Sequence, residues 1–161
     1  MGERWIEELF EKEYPALLLY GISLTHSRFE AEDLVQEAFY RFLLIYDSLS
    51  SDNYRGWLFR VMRNYFYDGQ RKEKNKKKLV KYLKKEYQET TADLLEEFIQ
   101  SDEREALFQK IQQLKKPYQE ILLAYYFLEM PIQTIAEFLQ LKPNNVKVLL
   151  HRGRKQLKER L

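Results

Sequence analysis

The sequence has no cysteine and only two histidines, His26 and His151. That excludes a disulfide framework, a Cys-based zinc site, thiol catalysis and a His-rich metal centre. Five glycines and four prolines in 161 residues exclude collagen-like, low-complexity and turn-rich β architectures. No apolar run approaches the roughly 18–20 residues of a membrane span. The longest, Ala16 to Ile22, is broken by Tyr20 and Gly21. The N-terminal stretch from Met1 to Glu8 is acidic and amphipathic, unlike the basic-then-apolar pattern of a secretory signal. The expectation is a soluble cytoplasmic protein.

Hydrophobic residues make up 45% of the chain, enough for a buried core, and 32% are charged. The net charge of +2 conceals a segregation. Residues 1–53 carry a net −7, residues 54–85 a net +10, residues 86–141 a net −7 and residues 142–161 a net +6. Two basic blocks alternating with two acidic ones point to two sites for a polyanion and to acidic surfaces for another partner. A single Lys-rich stretch is as readily a solvated helix face. Two blocks, each on a recognisable nucleic-acid element, favour binding.

Apolar residues recur at three-to-four spacing through most of the chain, and no stretch reads as strand. Trp5, Ile6, Leu9, Phe10, Tyr14, Leu17 and Leu18 stripe a first helix, which Pro15 is expected to kink or restart. Ser27 followed by Glu30 fits a capping box opening a second helix, with Leu34, Val35, Ala38, Phe39, Phe42 and Tyr46 as its apolar face. A Ser- and Asp-rich loop, Asp47 to Asn53, leads to a third helix from about Tyr54. Its expected core stripe is Trp57, Leu58, Val61, Met62, Tyr65 and Phe66, with Phe59, Asn64 and Asp68 off the stripe. Residues 76–102 are charged and weakly periodic and read as a flexible linker. After it, Ala106, Leu107, Ile111 and Leu114 stripe one helix, and Ile121, Leu122, Ala124 and Tyr125 another behind Pro117. Pro131 and Pro143 open the last two. The expected fold is all-α: two small helical domains, residues 1–75 and 103–161, joined by the linker.

The last two helices, joined by Gln140-Leu141-Lys142, fit a helix-turn-helix. Ala136 is the small residue wanted where they cross, and Ile135, Leu139, Leu141, Val146 and Leu150 are placed to bury between them. That leaves Asn144, Asn145, Lys147, Val148, His151, Arg152, Arg154 and Lys155 on a polar face. Such a helix can lie in the major groove, with its first turns on base edges and its later cations on phosphates. A three-helix bundle with a basic last helix is the structural alternative.

The helix from Tyr54 interleaves Trp57, Phe59, Tyr65, Phe66 and Tyr67 with Arg55, Arg60, Arg63, Arg71 and Lys72. Rings that stack bases beside cations that track a backbone suit a single strand, and Asn64 can hydrogen-bond an unpaired base edge. Core packing is the structural alternative. The preceding helix places Glu30, Asp33 and Glu37 on one face with Gln36 alongside. With no His or Cys nearby, a protein-docking face is a better use of these carboxylates than a metal or catalytic site. No nucleophile–base arrangement, phosphate loop or cofactor motif is present, so neither an enzyme nor a cofactor is expected.

The run Ala31-Glu-Asp-Leu-Val-Gln-Glu-Ala-Phe39, with Gly56-Trp57-Leu58-Phe59-Arg60 and Arg63-Asn64, resembles the N-terminal domain of bacterial extracytoplasmic-function (ECF) sigma factors. Pro131 to Leu157, with Ile135-Ala136-Glu137, Val146-Lys147 and His151-Arg152-Gly153-Arg154, resembles their C-terminal helix-turn-helix. About 130 of the 161 residues are covered, in the right order. The resemblance implies an alternative sigma factor that binds core RNA polymerase and directs it to promoters. By position, Asp33, Gln36 and Glu37 fall where the family docks on the β′ clamp helices. Trp57, Phe59, Asn64 and Asp68, flanked by Arg60 and Arg63, fall where it opens and reads the single-stranded −10 element. Lys147, Val148, His151 and Arg152 fall where it reads the duplex −35 element, and Arg154 where it touches the DNA backbone. The C-terminal domain is also expected to touch the β flap, and an anti-sigma factor is a possible partner. No sensory segment follows the helix-turn-helix in this sequence, so regulation is expected from outside the chain or from expression level.

Six positions depart from the family's habit. An acidic pair is usual where Gln133 and Thr134 stand, ahead of Ile135. Lys142 stands where a small polar cap is usual, and Lys caps a helix poorly. Thr, Ser and Arg are usual where Asn145, Val148 and Leu149 stand. Val148 suits a thymine methyl better than a hydrogen bond, so an unusual −35 preference, or a weaker dependence on the −35 element, is expected. A stand-alone helix-turn-helix regulator explains residues 104–161 but leaves the acidic and aromatic helices unused.

Overall fold

The computed structural model describes residues 4–50, 52–72, 99 and 101–160. Among these residues there are seven α-helices and no strand: α1 Arg4–Thr25, α2 Arg28–Ile45, α3 Tyr54–Lys72, α4 Asp102–Gln112, α5 Tyr118–Tyr126, α6 Ile132–Leu139 and α7 Pro143–Glu159. A 3₁₀ turn, Tyr46–Ser48, follows α2. The expected linker falls almost wholly outside the described residues. At its far end, Ser101 caps α4, its hydroxyl accepting from the Arg104 N–H at 3.2 Å.

The described residues group into two compact units. One draws on Met1–Ser50 and Val61–Glu96, the other on Ser51–Arg60 and Glu97–Leu161. The first turns of α3 therefore group with the C-terminal helices.

In the first unit α1 packs along α2. Leu17, Leu18, Tyr20 and Ile22 of α1 meet an interior that also takes Ala31, Val35, Ala38 and Phe42 of α2 and Met62 of α3, all nearly fully buried. Each large apolar side chain removed from water stabilises the fold by about 1.5–3 kcal/mol. Gly21 is required where the helices cross, since an added Cβ would lie 2.8 Å from Met62 Cε and 2.9 Å from Ala31 Cβ. An aromatic cluster closes the far end, with Phe10 on Phe39 at 4.5 Å and Trp5 on Tyr46 at 5.6 Å between ring centroids.

Pro15 does not restart the first helix. α1 runs through it. Pro15 and Glu11 both face water, which satisfies the carbonyl that proline leaves without a donor. The Ser27 cap forms, its hydroxyl accepting from the Glu30 N–H at 3.3 Å. The Ser27 N–H donates to Thr25 Oγ1 at 3.2 Å.

In the second unit α7 packs on α5 and α6, and α4 on α5. The turn between α6 and α7 is Gln140-Leu141-Lys142, with Gln140 left-handed at φ 55°. The Leu141 N–H returns to the Ala136 carbonyl at 2.9 Å, closing the helix end that glycine more often closes. Lys142 is the N-cap of α7 and makes no side-chain cap bond, while Pro143 opens the first turn. Ile135, Ala136, Val146 and Leu150 bury as expected; Leu139 and Leu141 are half-buried. Tyr125, expected on the apolar stripe of α5, is exposed instead, because α5 turns Ile121–Ala124 inward.

Candidate nucleic-acid interface

The second unit presents α7 as a one-sided helix. Val146, Leu150, Gly153 and Leu157 repeat at steps of four, three and four and are buried. The eight residues expected to read duplex DNA, Asn144, Asn145, Lys147, Val148, His151, Arg152, Arg154 and Lys155, are all exposed. Val148 is an apolar spot on this polar face, 47% exposed. The face offers amide donors and acceptors and a methyl-bearing side chain early, then cations later, as base edges and phosphates require.

Gly153 sets how closely α7 approaches α5, for a Cβ there would sit 3.3 Å from Leu122 Cγ and Cδ1. The next residue is thereby brought to the end of α5. Arg154 Nε donates to Tyr126 Oη at 2.8 Å, and its guanidinium stands 4.9 Å from the Tyr125 ring centroid. The Tyr126 hydrogen bond holds the Arg154 guanidinium's proton more firmly than usual, outweighing a smaller desolvation that acts the other way. Nothing in the local sequence pattern singles out Tyr126. It is brought to Arg154 only by the helix crossing.

The aromatic-basic helix is divided. Asn64 and Asp68, one turn apart on α3, are exposed, as is Tyr65, expected in the core. Arg63 is half-buried, with its guanidinium 5.0 Å over the Tyr67 ring. Arg41 of α2 lies 4.8 Å over Tyr65. The first turns differ. Trp57 is buried, and Phe59, expected off the core stripe, is 0% exposed and packs edge-on against Phe138 at 5.8 Å. Arg60 makes an ion pair with Glu137 at 3.1 Å. Arg55 donates to the carbonyls of Leu128 and Glu129. Phe59 is buried because the Phe138 ring of α6 packs against it, a contact that the stripe of α3 alone does not contain.

On α2, Asp33 and Gln36 are exposed, and Glu37 accepts from Arg41 Nε at 3.1 Å. Phe29, Tyr40 and Leu44 continue the same face at helical steps and are 77%, 59% and 63% exposed. These large apolar side chains flank the carboxylates, and an exposed apolar patch rimmed by polar groups marks an interaction surface. The sequence signal for them is their placement at i+4, i+7 and i+8 steps among the acids rather than among the core residues.

No described helix is long and apolar enough to cross a membrane. Among the described residues no group of His, Asp and Glu is placed to hold a metal ion.

The Sigma-70 region 2 family model matches residues 9–76, and the Sigma-70 region 4 family model matches residues 104–157. Three sigma factors of Bacillus subtilis are similar along most of their length. RNA polymerase sigma factor YlaC is 30% identical over 167 residues, covering 97% of this chain and 91% of YlaC. ECF RNA polymerase sigma factor SigW is 33% identical over 145 residues, covering 82% and 75%. ECF RNA polymerase sigma factor SigM is 28% identical over 158 residues, covering 95% and 93%. The fold is also that of the sigma factor RpoE from Bartonella quintana, solved in complex with the anti-sigma factor NepR, at a TM-score of 0.66 and 21% identity over 96% of this chain and 94% of that one. With region 2 ahead of region 4, and relatives at this identity spanning most of both chains, the protein belongs to the ECF sigma factors of the sigma-70 family and acts as an alternative sigma factor in transcription initiation.

Proposed function

We propose that three faces divide the work of promoter recognition. Asp33, Gln36 and Glu37 on α2, with the apolar residues around them, dock on the β′ clamp helices of core RNA polymerase. Trp57, Phe59, Arg60, Arg63, Asn64 and Asp68 on α3 form the −10 single-strand face. Asn144, Asn145, Lys147, Val148, His151, Arg152, Arg154 and Lys155 on α7 read the −35 duplex, and the C-terminal helices meet the β flap. The domain division at residues 1–75, 76–102 and 103–161 belongs to the same reading. So does a non-enzymatic regulator working beside the polymerase in the cytoplasm. An anti-sigma protein is proposed as a further partner on the family's habit alone.

The observation that carries this reading is the exposure of all eight α7 residues on a helix whose opposite face is buried. Phe59 and Arg60 meet a single strand only after leaving Phe138 and Glu137.

The test is co-migration of the purified chain with core RNA polymerase on a sizing column. A stable complex that is lost with Asp33→Lys and Glu37→Lys supports docking through α2. A complex indifferent to both moves docking to another face. No complex at all, with nanomolar binding of duplex DNA by the chain alone, favours a stand-alone regulator. The Asn145, Val148 and Leu149 departures predict an unusual −35 preference, which a random −35 library selected with holoenzyme contradicts if it returns the family's common AAC-type element.

A further inference from the structure

Within the DNA-facing surface of α7, one cation is held in a way its neighbours are not. Arg154 gives its Nε hydrogen to Tyr126 Oη at 2.8 Å and lies over two rings, 4.9 Å from the Tyr125 centroid and 5.7 Å from that of Tyr126. Arg152 and Lys155, on the same helix, have no such tether among the described residues. Tyr126 is itself held. Its carbonyl accepts from Arg104 Nη2 at 3.1 Å, and the Arg104 guanidinium stands 4.5 Å over the next ring, Phe127. The two tyrosine rings meet edge to face at 5.1 Å. The chain thus fixes a hydroxyl at the end of α5, and Gly153 brings the arginine to it.

A guanidinium has five N–H donors in a rigid fork. Binding Nε to a hydroxyl uses one and leaves the four on the two Nη groups. A phosphate takes two parallel hydrogen bonds from such a fork. An arginine already held in one rotamer loses less freedom when it meets that phosphate, which is the general gain from preorganisation.

We propose that Tyr126 is a positioning residue for DNA binding: it holds Arg154 by Nε so that the two Nη groups are set for a phosphate of the duplex. The inference rests on the assignment of α7 to duplex DNA. It adds to that assignment a residue on a different helix that touches no DNA itself.

The test measures binding of the full-length chain to a mixed-sequence DNA duplex across a salt series, since phosphate binding is independent of sequence. Arg154→Ala lowers the slope of log affinity against log salt by about 0.9, the value for one phosphate no longer neutralised. Tyr126→Phe keeps the ring and removes the hydroxyl. It weakens binding about two- to tenfold, the span of one ordinary hydrogen bond. In the Arg154→Ala background Tyr126→Phe has no further effect. A general structural role for Tyr126 does not produce that non-additivity. Unchanged binding by Tyr126→Phe, or a loss that persists in full in the Arg154→Ala background, overturns the proposal and leaves the α7 assignment standing. An unchanged slope for Arg154→Ala overturns the assignment and the proposal with it.

Discussion

The two proposed nucleic-acid faces differ in how far their residues are already engaged. On α7 the division is clean: four residues bury and the eight proposed to meet duplex DNA face water. On α3 the proposed single-strand residues split along the helix. Asn64 and Asp68 are exposed, whereas Trp57 and Phe59 are buried and Arg60 is paired with Glu137. Rings interleaved with cations therefore do not by themselves mark a stacking platform. The same composition serves a core wherever a second helix covers it, and only exposure separates the two uses.

The largest expected effect tests that split directly. Phe59→Ala removes a fully buried ring and should destabilise the protein by about 3–5 kcal/mol, read as a shift of the denaturant midpoint. Asn64→Ala, on the exposed part of the same helix, should leave that midpoint unchanged. If Phe59→Ala also leaves it unchanged, the ring is not core and the contrast with α7 disappears.

Next in size is the duplex face. Arg152→Ala together with Arg154→Ala should reduce the salt slope of promoter binding by about 0.9 for each phosphate left unneutralised. Both side chains are exposed, so stability should fall by no more than about 1 kcal/mol, the share of the Arg154–Tyr126 hydrogen bond. An unchanged slope means that another element meets the duplex.

A smaller effect is expected for Asn64→Ala on function. Removal of one hydrogen bond to a base edge takes about 1 kcal/mol, roughly fivefold, from −10 selectivity or promoter opening in a transcription assay. Binding to core RNA polymerase should be untouched. An equal loss of core binding points to a structural role for Asn64.

Much of this was legible in the sequence because binary patterning on an isolated helix face is a local signal. The steps from Val146 to Leu157, the turn at Gln140, the cap at Ser27 and the helix-opening Pro143 each depend on residues within a turn or two. The burial of Phe59 is not local, since it depends on Phe138, far along the chain. Tyr65 and Val61 fail the other way: the expected stripe continues through them, but Tyr65 is exposed and Val61 half-buried, while Met62 between them is fully buried. The Tyr126–Arg154 bond spans 28 residues and requires the close crossing at Gly153. Neither helix pattern read alone contains it. The apolar residues Phe29, Tyr40 and Leu44 carried a signal in their register with Asp33 and Glu37, but it becomes clear only once α1 is seen to cover the opposite face of α2.

The smallest predicted effect concerns the engaged part of α3. Glu137 is part-exposed, and ion pairs of that kind contribute up to about 1 kcal/mol. Glu137→Gln keeps the side chain's size and removes its charge. Arg60 is then released to a strand backbone, and binding of a single-stranded −10 oligonucleotide by the full-length chain should tighten, by no more than about fivefold. The gain should shrink as salt rises, because it comes from one cation regained for a phosphate. In an Arg60→Ala background Glu137→Gln should do nothing, since the carboxylate then has no guanidinium to withhold. A gain that survives Arg60→Ala shows that Glu137 repels the strand by its own charge. Arg60 would then be a packing residue, and the working part of the −10 face would begin at Arg63 and Asn64.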